Sequence, residues 1–103
     1  MTQDRIDALR QRIDELDAEL VSLLSRRAAC ALEIGEIKKA NGQAVYQPGR
    51  EADVLAHVRA ANQGPLDDQS LTRLFERIID EARRLERQAH TGPGGSSRES
   101  AER

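Results

Sequence analysis

From Thr2 to Ala40 the chain has no proline, and its apolar residues return every three or four positions: Ile6, Leu9, Ile13, Leu16, Leu20 and Leu23, then Cys30, Ile34 and Ile37. The spacing fills the a and d positions of a heptad for about five repeats. It predicts one amphipathic helix running roughly 55 Å at ~1.5 Å per residue, whereas a chain of ~100 residues compacts to a radius of gyration of about 13 Å. The rest of the sequence supplies two shorter helices at most, too little to cover so long an apolar stripe. Part of the seam is therefore expected to pack on a second copy, making a homodimer the unit.

Composition points the same way. With 103 residues there is room for one domain. Aromatics make up 2% and hydrophobic residues 38%, so the core must be built from Leu, Ile, Val and Ala, which suits an all-α fold better than a sheet. The 16 basic and 18 acidic residues nearly cancel, which leaves no overall field for nucleic acid or an anionic membrane surface. Any anion site has to be local. Lys38 and Lys39 are the only lysines, so arginine, the better carboxylate fork, supplies nearly all the cations. The lone Cys30 excludes an internal disulfide, the first residues lack a secretory apolar run, and no stretch matches the roughly 20 apolar residues of a membrane span. A cytoplasmic location is expected.

Asn41-Gly42 supplies a left-handed stop for the first helix, and residues 43–47 read as a loop. Pro48 suits the first turn of a second helix over about 48–62, with Val54, Leu55, Val58 and Ala61 on its apolar face, ended by Gly64-Pro65. Asp67 or Asp68 can cap a third helix carrying Leu71, Leu74, Phe75, Ile78, Ile79, Ala82 and Leu85. The pattern stops after Gln88. The helical domain is therefore expected to cover 1–89, and residues 90–103, rich in Gly and Ser, to form a disordered tail.

The informative residues are those that break the pattern. Arg27 stands at an a position, and its neighbours at three and four residues, Leu23, Leu24, Cys30 and Ala31, include no carboxylate. It is either paired across a dimer, setting register, or kept for an anionic ligand. Lys38 has Ile34, Gly35, Asn41 and Gly42 at the same offsets; it is either a solvated lysine near a helix end or a second ligand cation. Arg10 is flanked by Asp7 and Asp14, as a surface ion pair would be. Gly35 inside a helix costs about 1 kcal/mol relative to Ala, which hints at a close approach to the backbone, with chance tolerance as the alternative. Arg27 and Lys38 lie roughly 16 Å apart along the helix, and Arg10 about 25 Å from Arg27. Only the Arg10 of an antiparallel partner could join the first two.

Several pieces in order, Leu9-Arg10, Ile13, Leu16-Asp17, Leu23-Leu24, Arg26-Arg27, Ile34-Gly35, Lys38, Arg50-Glu51, Leu71-Thr72-Arg73-Leu74-Phe75 and Ile78-Ile79, closely resemble the all-helical chorismate mutases over about residues 5–88. The resemblance implies three helices per chain, one long and two shorter, intertwined as a six-helix homodimer. It implies rearrangement of chorismate to prephenate, in phenylalanine and tyrosine biosynthesis, with no metal or cofactor. Position by position, Arg27 and the partner chain's Arg10 resemble the forks for the two substrate carboxylates, Lys38 the donor to the ether oxygen, Arg50 a supporting cation and Glu51 the acceptor for the ring hydroxyl.

Three positions depart from the common bacterial pattern: Gln47 replaces an aspartate, Ala82 a hydroxyl residue and Glu86 a glutamine that donates to the ether oxygen. Ala82 loses one hydrogen bond, about 0.5–1.5 kcal/mol. Glu86 can donate only when protonated, and Arg83, three residues before it, offers an ordinary surface ion pair. Two other readings stay in play: an isochorismate pyruvate lyase-type relative, against which the Arg50-Glu51 pair speaks, and a non-catalytic helical dimerisation module. Whether a larger pathway enzyme binds the dimer is left open by the sequence.

Overall fold

The structure, a computed structural model, describes the backbone of residues 1–45 and 47–91 and the side chains of those residues through 89. The described residues form three helices: α1 (Thr2–Ala40), α2 (Pro48–Ala61) and α3 (Asp68–Thr91). The all-α expectation and the single long helix are both met. Met1–Cys30 forms one compact unit and Ala31 onward another.

The first unit is a helical stretch whose apolar seam faces open space within one chain. Ile6, Leu9, Ile13, Leu16, Leu20 and Leu23 are between 37% and 54% exposed. The stretch is rich in the strong helix formers Ala, Leu, Arg and Glu, and a helix in a folded protein draws most of its stability from covering such a stripe.

In the second unit, the end of α1 closes as the Asn41-Gly42 signal predicts. Gly42 has φ +71°, the Gly42 N–H donates to the Lys39 carbonyl at 3.2 Å and the Gln43 N–H to the Lys38 carbonyl at 2.8 Å. This paired arrangement satisfies two carbonyls that a helix end would leave bare. Pro48 opens α2 with Gln47 as the residue before it, and the Gln47 side chain makes no capping bond.

The sequence placed the end of α2 at Asn62; it falls at Ala61 because Asn62 turns to extended backbone (ψ 128°). Its amide ties the connecting loop, donating to the Leu66 carbonyl at 2.8 Å and Asp68 Oδ1 at 2.9 Å and accepting from the Gly64 N–H at 3.0 Å. Asp67, not Asp68, caps α3: its Oδ1 accepts the Ser70 N–H at 2.6 Å. That bond favours the ionised carboxylate and holds Asp67 below the usual aspartate range.

Helices α2 and α3 pack together, with Val58 of α2 (8% exposed) and Ile79 of α3 (9%) as the buried apolar centre. Val54, Leu55, Leu71, Phe75, Ile78 and Ala82 are half-buried around them. Leu74 and Leu85, on the predicted apolar face of α3, remain exposed in the single chain. The helix continues to Thr91, three residues past Gln88, so the first two residues assigned to the tail are helical. The rest of that expected tail, 92–103, lies outside the described residues.

Candidate functional site

Six of the eight residues singled out from the sequence, Lys38, Gln47, Arg50, Glu51, Ala82 and Glu86, belong to the unit beginning at Ala31, while Arg10 and Arg27 belong to Met1–Cys30. In the second unit, Lys38 sits in the last turn of α1. Its Nζ donates to Gln47 Oε1 at 2.7 Å. An ammonium has three donors, and the Gln47 amide that it meets is neutral, so that bond does not cancel the positive charge. This also explains why Gln47 leaves α2 uncapped: its carbonyl oxygen is turned to Lys38.

One turn before Lys38, Gly35 is the buried residue of α1. A Cβ built there would stand 3.0 Å from Glu86 Oε2 and 3.6 Å from the Glu86 carboxyl carbon. The close approach hinted at by a helical glycine is thus the half-buried carboxyl of Glu86, which α3 lays on the backbone of α1. Ala82, one turn earlier on α3, is half-buried and apolar.

At the start of α2, Arg50 is exposed and Glu51 is half-buried. Glu51 Oε2 is bound by Arg83 Nη2 of α3, the two side chains being 27% and 32% exposed. Arg83 also lies 4.0 Å from Asp80 Oδ1, an exposed carboxylate one turn back. Sequence spacing offered Glu86 as the neighbour of Arg83; the tertiary packing of α2 on α3 brings Glu51 to it, and no periodicity within one helix signals such a pair.

In the first unit, Arg27 is half-buried and Arg10 exposed. Among the described residues, Arg10, Arg27 and Arg50 form no ion pair. Asp7, set against Arg10 by spacing, instead accepts a bond from Gln3 Nε2 at 2.9 Å. No group of three or more His, Cys, Asp or Glu side chains suited to a metal ion occurs among the described residues.

Residues 9–87 match the family model of chorismate mutase type II. The chain belongs to this family. The bifunctional chorismate mutase/prephenate dehydratases of Stutzerimonas stutzeri and Pseudomonas aeruginosa are 42% and 41% identical to it over 95% and 96% of this chain, and the match spans 29% of each relative. A 4-amino-4-deoxychorismate mutase of Streptomyces pristinaespiralis is 40% identical, over 81% of this chain and 65% of that protein. Among solved structures, chorismate mutase (form II) of Thermus thermophilus superimposes with a TM-score of 0.79 at 37% identity, covering 82% of this chain and 96% of the other. The matched segment holds all eight residues singled out above.

Proposed function

We propose that the protein rearranges chorismate to prephenate, as a homodimer whose two sites each draw residues from both chains. Within one substrate molecule an ether C–O bond breaks as a C–C bond forms, so no covalent nucleophile is needed. The protein has to hold the compact reactive conformer and stabilise charge developing on the ether oxygen. In this reading Arg27 and the partner chain's Arg10 hold the two carboxylates. Lys38 donates to the ether oxygen with Glu86 beside it, Arg50 supports the carboxylate, and Glu51 and Gln47 meet the ring hydroxyl. Ala82 lines the pocket without a hydrogen bond.

The observation that carries the reading is the setting of Lys38 within the family's matched segment. A cation at the end of α1 is steadied by a neutral amide and keeps its charge for an anionic transition state. The exposed seam of the first unit, Ile6 to Leu23, supports the second copy, and that copy is what would bring an Arg10 toward an Arg27. A cytoplasmic location accompanies the proposal; among the described residues no helix is long and apolar enough to cross a membrane.

The test is to give the purified protein chorismate and isochorismate separately and identify the products. Prephenate from chorismate is expected. Pyruvate from isochorismate with no turnover of chorismate would replace the mutase by a lyase, and inertness toward both would leave a dimerisation module.

A further inference from the structure

We infer that Arg83 is a specificity-determining residue: by pairing with Glu51 it tunes the subsite for the ring hydroxyl to a neutral hydroxyl and against an ammonium group in the same place. The inference rests on the proposed mutase reading, in which Glu51 faces that hydroxyl.

A lone half-buried carboxylate is a good acceptor for a hydroxyl and a still better partner for a cation, because charge attraction is added to the hydrogen bond. Such a site would favour an amino-substituted ring, protonated at neutral pH, over the hydroxylated one. Here Glu51 is not alone. Arg83 Nη2 binds Glu51 Oε2 across the α2–α3 contact, which makes the pair neutral overall. A carboxylate offers about four lone-pair directions, so binding one guanidinium leaves it able to accept from a hydroxyl. An incoming ammonium finds its attraction to Glu51 offset by repulsion from Arg83 and still has to shed its water.

Two further charges stand near the pair. Asp80, 4.0 Å from Arg83, is 64% exposed and its field is screened by solvent. Arg50, beside Glu51 in the chain, is a further cation and opposes an ammonium in the same sense. Glu51 and Arg83 are both less than one-third exposed, so their interaction is the least screened of the group.

The experiment measures kcat/KM for chorismate and for 4-amino-4-deoxychorismate with the wild type, Arg83→Met, Arg83→Lys, Glu51→Gln and the double variant Arg83→Met/Glu51→Gln. Arg83→Met keeps the length of the stem and removes the charge. It is expected to shift the ratio of the two kcat/KM values toward the amino compound by about tenfold or more. Arg83→Lys should keep the ratio within about twofold of wild type, as the charge is retained. In the Glu51→Gln background Arg83→Met should still shift the ratio in the same direction, because the guanidinium repels an ammonium whether or not the carboxylate is present, and each Glu51→Gln protein should lie further toward chorismate than its Glu51 counterpart. Should Arg83→Met not fold by circular dichroism, Arg83→Gln carries the same expectation.

A loss shared equally by both substrates would make Arg83 a structural clamp and overturn the inference. A wild type that turns over chorismate with an unmoved ratio in Arg83→Met defeats this inference alone. A wild type that fails to turn over chorismate defeats the mutase reading, and this inference with it.

Discussion

Gly35→Ala separates folding from chemistry at one atom. The new methyl would lie 3.0 Å from Glu86 Oε2, closer than ordinary van der Waals contact, so Glu86 has to withdraw by a few tenths of an ångström. The atom in the way is the end of a flexible side chain, which moves at little cost. Replacing glycine by alanine inside a helix meanwhile gains about 0.5–1 kcal/mol. The net expectation is unchanged or higher stability, a rise in Tm of up to about 4–8 °C for a domain of this size. Chemistry is less forgiving: displacement of a reacting group by about 1 Å costs about a hundredfold, so a few tenths should lower kcat about three- to tenfold. Thermal melts and chorismate turnover give the two numbers. In a Glu86→Ala background the same change should leave kcat untouched. Full activity in Gly35→Ala would remove Glu86 from the reaction centre, and a large drop in Tm would show that the Glu86 carboxyl cannot yield.

Glu86→Gln installs a permanent neutral donor of nearly the same shape and should hold or raise kcat/KM for chorismate, whereas Glu86→Ala should lower it; an equal loss in both variants would exclude hydrogen-bond donation from this position. Asp67→Ala removes the cap of α3 and should lower stability at neutral pH. Because the folded protein holds Asp67 below the usual aspartate range, its contribution is complete above that range and is lost as pH falls through the lowered value. Denaturant unfolding should therefore show wild type and variant converging in acid, and a gap of constant width would contradict the cap. Ile79→Val deletes one methylene from the buried centre of α2 and α3 and should cost about 0.5–1.5 kcal/mol with kcat unchanged; a fall in kcat would place that centre in contact with the chemistry.

What could be read from the sequence follows from the range of the interactions involved. Helix α1 was legible because thirty-nine residues without a proline carry a periodic stripe, and its end because Asn41-Gly42 has few other uses. The start of α3 was legible to within one residue, and only the geometry of the Ser70 N–H could choose Asp67 over Asp68. The extension of α3 to Thr91 was not legible, since its last residues continue the helix without an apolar stripe to mark it.

Within the site, the cations stood out because their own helix offered no counter-charge, and Gly35 because a helical glycine needs a reason. The partners themselves were out of reach. Gln47 meets Lys38 through the turn between α1 and α2, Glu86 meets Gly35 through the placement of α3, and Arg83 meets Glu51 across 32 positions. Each depends on tertiary packing, to which spacing along one helix is blind.

The central claim, a mutase site assembled from two chains, is tested by mixing Arg10→Ala protein with Arg27→Ala protein under conditions that exchange subunits. Each variant alone should be nearly inactive, as every site lacks one carboxylate fork. A mixed dimer has one site lacking both arginines and one site intact. Random re-pairing of equal amounts puts about half of the chains in mixed dimers, so prephenate formation should return to about a quarter of the wild-type level. No recovery despite demonstrated exchange would mean that the two arginines do not meet across the dimer, and the shared-site account would fall.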